Sequence, residues 1–222
     1  MDKKITAVLI DTVSIQNYIF SSNKLKENIG ASYLVSNIYK WPLMEALNAV
    51  SDTYNIDIDA WKEEPQKIEI LRENVPFEIG YIGGGNAFIL FGSREDGERF
   101  IRAFTKILLS IAPGIRTAFG IIDDFSLAES NFSESMEKVF DSLSENKNRY
   151  FPQVTLRSYG FTSVCPSTSL SSEAIESIDS FSYESLLSSV AVSKLENSYY
   201  ANIELEKSFS NILESFSPLN NL

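Results

Sequence analysis

Histidine is absent from the 222 residues, and cysteine occurs once, as Cys165. The chain therefore offers no histidine general base, no histidine metal ligand and no internal disulfide bond. A metal site in this chain has to rely on oxygen ligands, which favour magnesium, manganese or calcium. A single cysteine is typical of proteins from a reducing compartment, so we expect a cytoplasmic protein.

Basic residues and long apolar runs are also scarce. The chain has 19 Lys and Arg against 30 Asp and Glu, which gives a net charge of −11. Such a surface disfavours broad contact with phosphate backbones, so we expect no direct binding of DNA or RNA by this chain alone. No run of about 18 apolar residues is present, and the apolar stretch Ile5–Ile10 is too short for the core of a signal peptide. We therefore expect no membrane association.

Two apolar runs rich in Ile, Phe and Tyr flank a glycine cluster within Phe77–Phe91. Gly83, Gly84 and Gly85 are followed by Asn86, and these residues tolerate the positive φ angles of a tight reversal. The pattern predicts a strand, a tight turn and a second strand. Two interpretations stay open from this segment alone. The glycines serve only the geometry of the turn, or their lack of side chains lets a ligand approach the backbone N–H groups.

Apolar periodicity places further elements on both sides of this hairpin. Ile5–Asp11 reads as a central strand that ends at a carboxylate, and Asp11 is either a functional residue or the cap of the next turn. Ser21–Gly30 is polar and ends in glycine, so we expect a break there and a helix resuming at Ala31. Further helices are expected before Val50, from Ser93 to Ala112 and from Ser126 to Asn148, with a fourth strand at Ile115–Asp123 and a long surface loop or insertion at Ser51–Val75.

This β-α-β-β-α-β order predicts an α+β, ferredoxin-like domain with a four-stranded antiparallel sheet and both main helices on one face. The strands are apolar on both faces, so the other face should be covered by the C-terminal part or by a partner. We place this domain at residues 1–150. Residues 151–222 contain 18 serines and form a separate, mostly helical extension with a predicted strand at Gln153–Ser163 and a helix at Leu195–Phe216.

Three segments, Leu9–Phe20, Lys24–Val35 and Tyr81–Phe88, carry a resemblance to a known family. In order they hold a strand ending in Asp11, a lysine-containing loop leading to a Gly-Ala-Ser sequence, and a Gly-Gly hairpin. This set resembles the palm domains of the large subunit of type III CRISPR effector complexes. The resemblance covers roughly residues 5–125, and Gly160–Thr168 resembles the segment that follows the first palm in stand-alone relatives.

The resemblance implies a polymerase- or cyclase-type palm that binds nucleotide triphosphates. In active members of that family, a Gly-Gly-Asp-Asp hairpin and an aspartate on the first strand hold two magnesium ions and join ATP into cyclic oligoadenylates. Here Gly85 and Asn86 stand at the positions of the two hairpin aspartates. Asp11 is left as the main metal ligand, with Asp123 and Asp124 as further candidates for binding magnesium or manganese together with ATP. Paired cations need several carboxylates, so we expect no efficient phosphoryl transfer by this chain alone.

The resemblance therefore predicts a catalytically degenerate, nucleotide-binding half-site or scaffold in antiviral defence. Its partner would be a second palm domain or a subunit that covers the sheet, and residues 151–222 would form the junction to it. One alternative is an active, metal-dependent nucleotidyltransferase or cyclase that uses Asp11 with Asn86 and Asp123 or Asp124. Another is a pure protein-interaction module. The residues expected to bind the nucleotide are Gly83, Gly84, Gly85, Asn86, Lys24, Lys26 and Ser32.

Overall fold

The computed structural model describes residues 5–51, 63, 70–71, 75–149, 160–177 and 184–216. Within them the protein is α+β, as predicted. In chain order the elements are β1 (Thr6–Val13), α1 (Ile15–Ile19), α2 (Leu25–Asn37), α3 (Trp41–Asn48), β2 (Phe77–Gly83), β3 (Asn86–Phe91), α4 (Arg94–Ile111), β4 (Arg116–Ile122), α5 (Glu129–Asn148), β5 (Ala174–Ser177), β6 (Glu184–Leu187) and α6 (Ser189–Phe216).

The chain forms two compact units. The first comprises Met1–Ile15 and Ser36–Thr155, and the second comprises Gln16–Val35 and Leu156–Leu222. Residues 16–35, which the sequence analysis assigned to the first domain, therefore belong with the C-terminal part. The predicted loop at Ser51–Val75 and the predicted strand at Gln153–Ser163 lie largely outside the described residues.

The first unit is built on a four-stranded sheet in the order β2-β3-β1-β4. Every neighbouring pair is antiparallel, so the predicted four-stranded antiparallel sheet is confirmed. Strand β1 is central and almost wholly buried, because both of its faces are covered. In the register of the sheet, Asp11 lies opposite Asn86 of β3 and Ala118 of β4.

Helices lie on opposite faces of this sheet. A methyl group on Gly97 of α4 would touch side chains of Val8 and Ile121, whereas one on Gly120 would meet the backbone of α5. Successive strand residues point to opposite faces, so α4 and α5 lie on different faces. The core under α4 includes aromatic pairs of Phe91 with Phe100 and of Phe100 with Phe104.

Helix α5 packs on β4 and β1 and covers much of the face for which we expected the C-terminal part or a partner as cover. Its apolar positions Val139 and Leu143 are buried in a cluster with Leu9, Phe88 and Leu90 of the sheet. The helix itself was predicted from its periodicity. Its position on the sheet was not, because periodicity shows that a helix has an apolar face but not which surface that face covers.

In the second unit, α2 packs tightly against α6. The polar stretch Ser21–Gly30 predicts a break before Ala31, but α2 runs without interruption from Leu25 to Asn37. A methyl group on Gly30 would collide with the carbonyl oxygen of Lys194 and lie 2.8 Å from the amide nitrogen of Ser198. The glycine is therefore required for close approach of two helix backbones and does not end the helix.

Lys194 is fully buried in this second unit. Its Nζ donates hydrogen bonds to the Tyr18 carbonyl at 2.6 Å and to Ser21 Oγ at 2.7 Å. The same nitrogen lies 4.5 Å from the centroid of the Tyr18 ring, which adds a cation–π contact. Burial lowers the pKa of the Lys194 ammonium, and the negative charge of Glu27 opposes that shift. These contacts connect α6 to α1 and to the segment that follows it.

Candidate functional site

The glycine-rich hairpin forms as predicted, with β2 ending at Gly83 and β3 beginning at Asn86. Gly84 and Gly85 have φ angles of 60° and 85°, which give the hairpin the right twist in a two-residue turn. Gly84 is exposed, and a methyl group there would meet only the Tyr81 hydroxyl, at 4.0 Å. At Gly85 a methyl group would instead lie 2.7 Å from the side chain of Ile15. Only the first of the two turn glycines therefore faces open space.

The tip of the hairpin is fixed to the end of β1 by a buried network. The Gly85 carbonyl accepts hydrogen bonds from the Thr12 N–H at 2.9 Å and from the Tyr39 hydroxyl at 2.8 Å. Tyr39 Oη and Thr12 Oγ1 are also 2.8 Å apart. Burial raises the pKa of Tyr39, so its hydroxyl stays protonated and available as a donor. The tip is thus held rigidly beside Asp11, which immediately precedes Thr12.

Asp11 forms an ion pair that the sequence analysis missed. Its Oδ2 lies 2.8 Å from Nζ of Lys147, in the last turn of α5. The Asp11 side chain is 21% exposed and that of Lys147 is 38% exposed, so the pair stands at the edge of the core. The sequence feature that points to this ion pair is Lys147 itself, in the last turn of a predicted helix, where the helix dipole favours a cation. That feature does not identify its partner.

Close backbone contact and polar side chains set the position of α5 beside this ion pair. Gly120 of β4 leaves room for the helix backbone, because a methyl group there would lie 2.5 Å from the Val139 carbonyl oxygen. Asn146 Nδ2 donates to the Phe119 carbonyl at 2.6 Å, and Ser142 Oγ accepts from the Ile121 N–H at 3.1 Å. Lys147 follows Asn146 directly, so its distance from β1 is set by the packing of the helix.

A cavity of about 520 Å³ lies between α5 and the β2–β3 side of the sheet. Its walls are mostly apolar, and its polar lining includes the ion pair, Asn86 and Glu78. This volume is within the usual range for small-molecule pockets. The cavity therefore combines apolar surface with two carboxylates, one ammonium and one amide. The second carboxylate is that of buried Glu78, which accepts a hydrogen bond from the Ile70 N–H. The main apolar wall residues are Leu9, Phe88, Leu90, Phe132, Met136 and Leu143.

The structure does not bring Asp123 and Asp124 to Asp11, and this part of the predicted site is corrected. Asp123 accepts a hydrogen bond from Thr6 Oγ1 at 3.0 Å and pairs with Arg94 at 2.9 Å. Strand β4 is antiparallel to β1, so its end lies beside the start of β1. Thr6 and Asp11 are five residues apart on one strand, or roughly 17 Å. Asp124 follows Asp123 and has a φ of 54° in the turn after β4.

Lys24, Lys26 and Ser32 belong to the second unit and are exposed there. Lys24 precedes α2, and Lys26 is in its first turn. Ser32 was expected at a helix start, but it lies inside α2 because the helix continues through Gly30. A serine in a helix interior has no terminal N–H groups beside it, so the helix-start role proposed for Ser32 is wrong.

These residues do not fit a pair of divalent cations at the hairpin. Asp11 already pairs with Lys147, Gly85 has no side chain, and Asn86 supplies a neutral amide. Among the described residues, no three acidic or cysteine side chains come together as a metal-binding group. A two-metal reaction needs carboxylates that position both ions, so we derive no such reaction at this site.

Comparison with known proteins adds no assignment. The sequence matches no protein-family model, and no curated protein matches it significantly. Within the described part of the chain, none of the helices has the length and apolar character needed to cross a bilayer.

Proposed function

We propose that this chain is a non-catalytic, palm-type domain that binds a nucleotide and serves as a half-site or scaffold in a CRISPR-like antiviral system. The strand order β2-β3-β1-β4 is the order expected of a ferredoxin-like βαββαβ domain and supports this proposal. The observation that carries it is the register at the tip. Asp11 and Asn86 lie opposite each other beside a cavity, and the negative charge of Asp11 is paired with the ammonium of Lys147.

The chemistry of the cavity suits the parts of a nucleotide. Aromatic and aliphatic walls, including Phe88 and Phe132, can stack on the flat face of a base. Asn86 offers both a donor and an acceptor to polar groups of the ligand. Exposed Gly84 leaves backbone accessible at the tip. Lys24 and Lys26 lie in the second unit, so the proposal for this cavity does not rest on them.

The rival proposal of an active nucleotidyltransferase requires Asp123 or Asp124 to act with Asp11. The roughly 17 Å between the two ends of β1 disfavours that arrangement. Incubation with ATP and manganese, followed by chromatography, is expected to yield no oligoadenylate. An oligoadenylate product that disappears in Asp11→Ala would contradict the non-catalytic assignment.

Calorimetric titration with ATP tests the nucleotide part. We expect binding both with magnesium and with a chelator, and a loss of affinity when Phe88→Ala removes one wall of the cavity. Leu109→Ala is the control for shortening an apolar side chain, because Leu109 is exposed on α4 and does not line the cavity. If ATP binds in neither condition, with the chain alone or with a copurifying partner, the nucleotide-binding proposal is contradicted. The alternative of a pure protein-interaction module is then favoured.

A further inference from the structure

Among the described residues that line the cavity, Lys147 is the one cation. It lies 2.8 Å from Asp11 at the end of β1, and both side chains line the same cavity as Asn86. The ion pair is only partly buried, so its charges are accessible from the cavity. Lysine is a compact point charge and a common phosphate ligand in proteins.

The placement of this charge is imposed by the fold. Helix α5 is held to β4 by the close approach at Gly120 and by the Asn146 hydrogen bond to the Phe119 carbonyl. Because Lys147 is next in sequence, its Cα position follows from those contacts. A lysine on a free loop would have to be ordered on binding, whereas this one already holds its position beside the hairpin.

We propose that Lys147 is the residue that contacts the anionic group of the ligand, in place of a metal ion. This inference rests on the proposed nucleotide-binding function and adds the group that replaces a divalent cation in binding. Asp11 then has a role opposite to that of a metal ligand. Its carboxylate holds Lys147 in the unliganded protein and competes with the ligand's phosphate for the same ammonium.

Removing the charge of Lys147 and removing the charge of Asp11 are expected to change ATP affinity in opposite directions. Lys147→Met keeps most of the aliphatic stem but removes the ammonium, so ATP affinity is expected to fall about tenfold or more, as for a lost charge-assisted hydrogen bond. Asp11→Asn removes the competing carboxylate at nearly constant volume, so ATP affinity is expected to rise severalfold. A metal-dependent site predicts the reverse for Asp11→Asn, because that change would remove its principal ligand.

The experiment is calorimetric titration of the full chain with ATP, inorganic tripolyphosphate and adenosine, each with magnesium and with EDTA. Lys147→Met is expected to weaken ATP and tripolyphosphate by a similar factor and to leave adenosine unchanged, which a general loss of structure would not do. Lys138→Met is the matched control, because Lys138 lies on the same helix as Lys147 and pairs with exposed Glu134, and it is expected to match the wild type throughout. Tryptophan fluorescence melts of each variant establish that the first unit is folded, since Trp41 begins α3 of that unit.

The outcomes separate the two proposals. Wild-type binding that requires magnesium, or that disappears in Asp11→Asn, would overturn the role of Lys147 and leave nucleotide binding intact. Equal affinities of the wild type and Lys147→Met for both phosphate ligands would do the same. A wild type that binds none of the three ligands in either condition would overturn both proposals.

Discussion

Gly120→Ala tests whether close contact between β4 and α5 holds the candidate site together. The added methyl carbon would lie 2.5 Å from the Val139 carbonyl oxygen, 2.8 Å from the Leu143 nitrogen and 3.0 Å from the Leu143 Cβ. Two of these atoms are helix backbone, so no side-chain rotation relieves the contact and α5 must move away from the strand.

The magnitude follows from two opposing contributions. Overpacking a well-packed core costs about 1–3 kcal/mol, and rigid backbone neighbours place this case in the upper part of that range. Replacing a strand glycine by alanine returns about 0.5–1 kcal/mol of backbone entropy. We therefore expect a net destabilisation of about 1–2 kcal/mol, or a fall in melting temperature of roughly 2–8 °C for a chain of this size.

Thermal melts followed by tryptophan fluorescence measure this effect in the first unit, where Trp41 begins α3. Gly97→Ala is the matched control in the same unit. Its nearest neighbour is a side-chain methyl of Val8 at 3.2 Å, which can shift, and alanine favours the α4 helix by about 1 kcal/mol. We expect that control to be neutral or stabilising. A Gly120→Ala protein that melts at or above the wild-type temperature would refute the reasoning.

Three further predictions concern the tip and the second unit. Gly30→Ala is expected to lower the stability of the second unit by about 1–3 kcal/mol despite its better helix propensity, measured by far-UV circular dichroism; Gly160→Ala, which has no atom within 4 Å of the added carbon, is the control and should be nearly neutral. Tyr39→Phe removes the hydroxyl that donates to the Gly85 carbonyl and should cost about 0.5–1.5 kcal/mol in urea unfolding; no change would show that this bond does not stabilise the tip. Because burial lowers the pKa of Lys194, the folded chain loses the Lys194 proton at a lower pH than the unfolded chain does. As pH rises toward the ordinary value of 10.5, the unfolded chain therefore binds more protons than the folded chain. Wild-type stability relative to Lys194→Met should therefore increase from pH 7 toward pH 10, and a difference independent of pH would contradict this sign.

Local chemistry explains what the sequence predicted well. The hairpin was predicted because positive φ at Gly84 and Gly85 is a property of those residues themselves. The start of α4 was likewise predicted, because Ser93 Oγ accepts a hydrogen bond from the Asp96 N–H within the first turn. Such features depend on neighbours a few residues away, which a sequence displays directly.

Long-range contacts account for the failures. Gly30 looked like a helix stop, and only the approach of α6, more than 160 residues later, shows that it is a packing residue. Asp123 looked equivalent to Asp11 because each follows an apolar strand, but antiparallel pairing sends them to opposite ends of the sheet. Lys147 was overlooked because its partner, Asp11, is 136 positions away, the difference between the two residue numbers.

The side chains of Ser142 and Asn146 have a consequence for assembly. They bond the N–H and carbonyl of Ile121 and the carbonyl of Phe119 in β4, which is one edge strand of the sheet. The opposite border, β2, carries an irregularity between Ile79 and Tyr81 that interrupts its regular pairing pattern. These features disfavour the pairing of a strand from another protein with either edge strand of the sheet. A partner protein is therefore expected to bind through helices or loops and not by adding strands to this sheet.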